Sequence, residues 1–348
     1  MKKFILLLVM IFMSCAPSMV TAKKNKAPDW IMNPQSKYKD AYYLSSVGTG
    51  DTKKSAEQDA YSNLSKIFQA EIKSDETLTQ KFEETTVGDK TSLTAEEKMR
   101  NLTQIQSEQT LKNVKIGDSY FDPNSGEYYV IAYLNRSETE DIYHNEISQN
   151  TQKIEQFYSQ YEESTSKLDK LKYLSEAIDL AEQNEILNAQ LRIISPSNAG
   201  MQLKQPLEKL VAERNTFAKT IHVVVIGSGD YKDYLEDYLK EVFNNFGFTV
   251  YANVSDADYI DFRIESSLAI SQIDLDRDEE FVRWELSITI IDKISNAEAV
   301  LYTRSDREGH LNLTEAQNRA LRSAKKTIQK DFFKFFADKY LSSRIKRR

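Results

Sequence analysis

Between Ile260 and Ile270 the chain alternates, with Ile260, Phe262, Ile264, Leu268 and Ile270 set against Asp261, Arg263 and Glu265. The same phase returns in Val282, Trp284, Leu286, Ile288 and Ile290 against Arg283, Glu285, Ser287 and Thr289. A period of two marks a strand with one buried and one wet face, and two such runs in tandem predict an antiparallel pair. Just upstream, IHVVVIGSGD from Ile221 is a continuously apolar strand, followed by a helix over 231–246 and a strand in GFTVYAN. A third strand near 298–304 and a long helix from Thr314 to Leu341 complete a βαββββα unit or a close variant. Its helices are expected on one face of a mostly antiparallel sheet.

The first half switches period. AYYLSSVGTG (41–50) reads as a strand ending in a glycine turn, Ser55 to Gln58 has capping-box spacing, and Ala56, Ala60, Leu64, Ile67, Phe68 and Ile72 recur on one helical stripe. A polar helix over 94–112 with anchors Leu102, Ile105 and Leu111 precedes a hairpin: NVKIGDSYF, the turn Asp122-Pro123-Asn124-Ser125-Gly126, then EYYVIAYLN. From 137 to 194 there is no proline or glycine, and apolar residues fall at helical spacing on both sides of ESTSK (163–167). This predicts two helices packed antiparallel, with a further helix over 201–218 after Pro196. The fold class is therefore α+β: two small α+β domains, 28–146 and 219–341, joined by a helical-hairpin spacer over 147–218.

The ends carry different information. Lys2 and Lys3 precede a ten-residue apolar run, Phe4 to Met13, then Ser14 and Cys15. Ten residues are too short to span a bilayer, which needs about 20, so 1–14 reads as an export signal. Two cleavage sites compete. F-M-S-C-A resembles a bacterial lipobox, which would make Cys15 the lipidated N-terminus, whereas Val20-Thr21-Ala22 offers an ordinary secretory site. Residues 15–27 form an aperiodic tether, about 40 Å long when extended, and 342–348 a basic tail. With a net charge of −7, made more negative by loss of Lys2 and Lys3, the chain does not suggest nucleic acid. The terminal basic clusters, Lys23, Lys24 and Lys26 and then Arg344, Lys346, Arg347 and Arg348, read first as solvated ends.

Candidate chemistry is sparse. Cys15 is the one cysteine, so no intramolecular disulfide or cysteine metal site is expected. His144, His222 and His310 lie far apart, and His222, inside an apolar strand, reads as a packed imidazole. Gly227 and Gly229 precede a helix as in a phosphate-binding turn, but Lys232 stands where the third glycine belongs. Asp274, Asp276, Asp278 and Glu285 have calcium-loop spacing, but Glu279 occupies the glycine position and Glu285 falls in a strand. Solvated loop acids and a structural turn are the plainer readings. Ile328, Phe332, Phe335, Phe336 and Tyr340 line the last helix as core, with some of that width left for a partner or for a homo-oligomer. No catalytic residue, cofactor or metal is expected.

P-D-W (28–30), Y-L-S-S-V-G-T-G (43–50) and S-A-E-Q-D-A-Y-S-N-L-S-K-I (55–67) together resemble the LPP-twenty lipoprotein family, related to the N-terminal domain of the flagellar assembly T protein. The resemblance covers about a third of the chain. It implies a non-enzymatic envelope lipoprotein, with family members associated with the outer membrane and the flagellar apparatus, and it favours lipidation of Cys15. The expectation is an exported scaffold or interaction module held on the periplasmic face of the outer membrane, with envelope or motility proteins as partners. A secreted or surface-exposed adhesin or antigen is the alternative from another class, and an enzyme acting on envelope polymers a third.

Overall fold

The computed structural model describes residues 27–73, 111–196, 201, 204–256 and 259–341. Cys15, the export signal, most of the tether, Leu102, Ile105 and the basic tail lie outside them.

β1 (Tyr43–Gly50), β2 (Lys115–Asp122) and β3 (Glu127–Asn135) form an antiparallel sheet in the order β1-β3-β2. The expected turn closes it: Gly126, at φ 76°, donates its amide to Asp122 O at 2.8 Å. Helix α1 (Lys53–Lys73) lies on β1 at backbone contact. A Cβ on Gly48 would sit 2.0 Å from Ala60 N and 2.5 Å from Ala56 O. The glycine of the strand and the alanines of the helix are thus two halves of one contact. Ser46 Oγ donates to Ala60 O at 2.6 Å and Asn63 Nδ2 to Val47 O at 3.1 Å, while Asp59 Oδ2 accepts from Thr49 N at 3.0 Å. The capping pair falls one turn earlier than the spacing suggests: Thr52 Oγ1 accepts from Ser55 N at 3.1 Å and Ser55 Oγ from Thr52 N at 3.2 Å. Ala56, Ala60, Leu64 and Phe68 are buried, but Ile67, at the margin of the stripe, is 36% exposed. On the other face of the sheet, the buried Trp30 sits in a single helical turn (Asp29–Ile31) against β3, and Tyr38 stacks on Tyr133 at 4.1 Å.

Helix α2 (Arg136–Glu163) begins directly after β3, capped by Asn135, so the chain has no break at 146. It packs antiparallel to α3 (Lys167–Ile194), and Asn150 Nδ2 donates to Asn184 Oδ1 at 3.0 Å between them. This hairpin is more than a spacer. Leu187, Leu191 and Ile194 of α3 pack with Leu64, Phe68, Tyr143 and Ile147, whereas Leu168 and Leu171 belong to the core of the C-terminal sheet. Between them Leu174, Ala177, Ile178 and Ala181 pack with Ile154, Leu207 and Leu210. Helix α4 (Leu207–Lys219) starts later than the expected 201, because Pro206 serves as its N-cap and fits there with no amide to offer.

The C-terminal unit has the expected βαββββα order: β4 (His222–Ser228), α5 (Lys232–Asn245), β5 (Thr249–Tyr251), β6 (Phe262–Ile273), β7 (Glu280–Asp292), β8 (Glu298–His310), then the terminal helix. Its strand order is β5-β4-β6-β7-β8. The sheet is mostly antiparallel, as expected, through the long β6-β7-β8 ladders, but β4 runs parallel to both β5 and β6. Continuous apolarity explains it, since Val223, Val224 and Val225 are all buried, as parallel strands require on both faces. The terminal helix is also not uniform. A π-helical turn, Thr327–Phe332, separates α6 (Leu313–Lys326) from α7 (Phe333–Tyr340). Ala316, Ala320, Ala324, Ile328, Phe332, Phe336 and Tyr340 are buried at intervals of four. A straight α-helix would rotate such a stripe by about 40° per step, and the wider π turn winds part of that drift back.

Gly48→Ala should cost about 3 kcal/mol through overpacking against helix backbone. Urea denaturation of the purified protein should show it as a lowered midpoint with unchanged slope.

Candidate functional site

The structure takes most candidate sites apart. Gly227 allows α5 to close on β4, since a Cβ there would lie 2.5 Å from Lys232 O, and Gly229 turns the chain at φ 80°. The amide a phosphate would need is already used: Gly227 N donates to Glu236 Oε1 at 3.1 Å, with Lys240 Nζ 3.0 Å from the other oxygen. Partial burial pushes the Glu236 carboxyl up, but the amide and the ammonium outweigh it and hold it below its ordinary value. The turn carries its own anion.

Asp274 Oδ1 accepts from Asp276 N at 3.0 Å, an Asx turn in which Asp276 takes φ 53°. Glu285 lies in mid-strand, opposite Ala269 and Ser305. Five residues of strand, about 17 Å, separate it from the start of β7, so these four acids do not converge. Among the described residues no group of three or more His, Cys, Asp or Glu is placed to hold a metal. The histidines stay apart. His144 Nε2 lies 3.5 Å from Glu140, and His310 Nδ1 accepts from Asn312 N at 3.2 Å. His222 opens β4, half-buried, packed edge-on against Tyr251 at 5.6 Å with Nδ1 3.3 Å from Tyr259 O.

Two polar nodes that hydrophobic periodicity does not reveal tie the chain together. Arg136, the first residue of α2, donates to Asp40 O at 2.8 Å and to Ile193 O and Ile194 O at 2.8 and 2.6 Å. It caps the last carbonyls of α3 from another element. Burial pulls its guanidinium below the ordinary value, against the opposing effect of Asp40. At the other end of α3, Lys167 Nζ donates to Thr220 O at 2.5 Å and to Asp261 Oδ2 at 2.7 Å. The same carboxylate oxygen accepts from His222 N at 2.8 Å, and Asp261 is 2% exposed. Its place in the polar phase of 260–270 points to solvent, but Asp261 lies just before β6, where the strand-end amides gather. Its burial follows from that position.

Among the described residues, the fold leaves open one face of the C-terminal sheet across β6, β7 and β8. The register places Glu265, Ser267, Ser287, Thr289, Thr303 and Ser305 together there, with Arg263 Nη2 2.7 Å from Glu265 Oε1. A shallow, wide-open groove lined by Glu285, Leu286, Thr303, Arg304 and Ser305 crosses β7 and β8. Hydroxyls and paired charges on a flat surface suit hydrogen bonding to an extended or flat partner better than enclosure of a small molecule. Of the terminal-helix residues, Ile328, Phe332, Phe336 and Tyr340 are core, and Phe335 is 37% exposed beside Tyr302.

Residues 28–135 match the LPP20 lipoprotein family, so the N-terminal third, with its sheet and α1, is the module that P-D-W, the strand-end glycines and the alanine-spaced helix announce. The rest of the chain lies outside that match, and no curated protein matches the chain. Among solved structures, a secreted protein of Helicobacter pylori is 13% identical, with 86% of this chain and 98% of that one covered at a TM-score of 0.38. A minor lipoprotein of Acinetobacter baumannii is 14% identical over 35% of this chain and 90% of its own, at a TM-score of 0.25. A lipoprotein of Neisseria meningitidis is 10% identical over 30% and 97%, at 0.22. No helix among the described residues is long and apolar enough to cross a membrane.

Arg136→Met should strand buried carbonyls and cost about 3 kcal/mol, measured by urea denaturation, and Arg136→Lys should recover only part of it. Glu236 has a lowered value in the folded state, so its contribution is present above the unfolded carboxyl value of about 4.3 and is lost as pH falls through the folded one. The stability gap between Glu236→Gln and the parent protein should therefore be full at neutral pH and close in acid.

Proposed function

We propose that the protein is an exported lipoprotein that acts by binding, a non-enzymatic scaffold or interaction module of the bacterial envelope, held to a membrane through Cys15. The observation that carries this reading is the LPP20 match over residues 28–135, which begins thirteen residues after a cysteine that follows a short apolar run. Two or three acyl chains on one N-terminus bury enough methylene groups for firm attachment, where a single chain gives only marginal binding. The tether between Cys15 and Pro28 reaches about 40 Å when extended, which lets the folded part stand clear of the headgroups. On this reading the periplasmic face of the outer membrane is the site of attachment, and the open hydroxyl-lined face of the C-terminal sheet meets partners in envelope or motility assemblies.

Cys15→Ser should move the protein from the membrane fraction to the soluble fraction, and mass spectrometry of the parent's N-terminus should find acylated Cys15. An unmodified N-terminus at Lys23 would show an ordinary secreted protein instead. Density-gradient fractionation, with protease treatment of intact cells, tests the membrane and the face. Crosslinking in intact cells followed by mass spectrometry tests the scaffold role, which fails if no envelope protein is recovered with the parent chain.

A further inference from the structure

Among the described residues the two sheets have four edges, and three are blunted. Along β1, Asn63 and Asp59 of α1 take up Val47 O and Thr49 N. The ladder of β2 is interrupted by a register shift between Ile116 and Ser119. β5 is only three residues long. β8 is different: it runs for thirteen residues, its pairing with β7 is regular from Val300 to His310, and Thr303 to Arg307 are all exposed. Arg319 Nη1, 3.0 Å from Gly309 O, closes only its far end. A long free edge is a template for another strand, and natural proteins usually blunt one that is left unpaired.

The charges on this edge choose among occupants. Arg304 and Asp306 flank Ser305 on the same face of the strand, two residues apart. Among the described residues Arg304 makes no ion pair, and the Asp306 carboxylate accepts only from Arg307 N, at 2.8 Å. Antiparallel pairing with a second β8 about a two-fold axis through Ser305 sets Arg304 against Asp306 of the second copy, and Asp306 against its Arg304. Moving the axis one residue either way puts arginine against arginine or aspartate against aspartate. Directly opposed like charges destabilise a ladder and opposite charges support it, so the sequence Arg-Ser-Asp selects one register. We propose that β8 joins two copies of this chain edge to edge about a two-fold axis through Ser305, continuing the C-terminal sheet across the pair.

The full chain carrying Cys15→Ser has no cysteine and no lipid site, so the test is independent of anchoring. With Ser305→Cys added, the two thiols sit on residues whose Cα atoms are about 4.5–5.5 Å apart across an antiparallel pair, within disulfide reach. Mild oxidation should then yield a disulfide-linked dimer at least tenfold faster than the same chain with Ser125→Cys, an exposed turn position. Thr303→Cys and Arg307→Cys should crosslink poorly alone and readily when mixed. Adding Asp306→Arg to Ser305→Cys should abolish the dimer, and adding Arg304→Asp as well should restore it. Sedimentation equilibrium of the cysteine-free chain should show a reversible dimer that Asp306→Arg shifts to monomer. A chain that stays monomeric at tens of micromolar, or crosslinking at Ser305→Cys no faster than at Ser125→Cys, overturns the proposal.

Discussion

A helix buried along most of its length must still dispose of its last carbonyls, and α3 does so through one side chain. Arg136 reaches from the start of α2 to Ile193 O and Ile194 O, with Asp40 O as its third acceptor. A guanidinium suits this task because its planar fork presents several donors at fixed angles, whereas an ammonium offers a single point of charge. The bond set fixes where α3 ends, and so where Leu187, Leu191 and Ile194 meet α1. At the opposite end Lys167 and the buried Asp261 fix where α3 begins, under the C-terminal sheet. Between these ends the Asn150–Asn184 bond sets the height of one helix of the hairpin against the other. A buried polar pair of this kind adds little net stability, and a slip of one helix along the other would leave both amides unpaired.

The same logic makes the two sheets different kinds of object. The first is thin and depends on backbone contact: α1 can lie on β1 only because Gly48 has no side chain and Ala56 and Ala60 have the smallest ones. The second is thick and depends on volume. Phe243, Phe246, Phe248, Phe332 and Phe336 form a ring cluster with centroids 4.8–6.3 Å apart, beneath strands whose other face carries hydroxyls and charges. One sheet is held by the absence of side chains and the other by their bulk.

Much of this was legible in the sequence. Periods of two and of 3.6 located the strands and helices of both sheets, the βαββββα order, the hairpin turn at 122–126 and the break at 163–167. Strand pairing was less accessible, because β4 could be recognised as continuously buried without revealing that it has parallel neighbours on both sides. Periodicity places Asp261 on the wet face, because it describes side-chain direction and is silent about strand ends, where a carboxylate gathers free amides. Arg136 left no trace in any local pattern: its acceptors lie 57 and 58 residues away at Ile193 and Ile194. The candidate sites divided along the same line. Spacing could propose a phosphate turn at Gly227 or an acid loop at Asp274, but only three-dimensional placement showed Glu236 filling the first and Glu285 standing away from the second.

The distance from Arg136 to its acceptors also sets an order of events. A chain delivered from its N-terminus, through a ribosome or through an export channel, presents the N-terminal module before the end of α3, and domains generally fold in that order. Here Leu64 and Phe68 of the first module, with Tyr143 of α2, stand without the helix that covers them until nearly sixty further residues have followed Arg136. Its completion is therefore a late step that also reports that the hairpin has formed. A chain interrupted before Ile194 would leave a recognisable family module with its apolar flank uncovered, the kind of surface by which quality-control proteases and chaperones identify unfinished proteins.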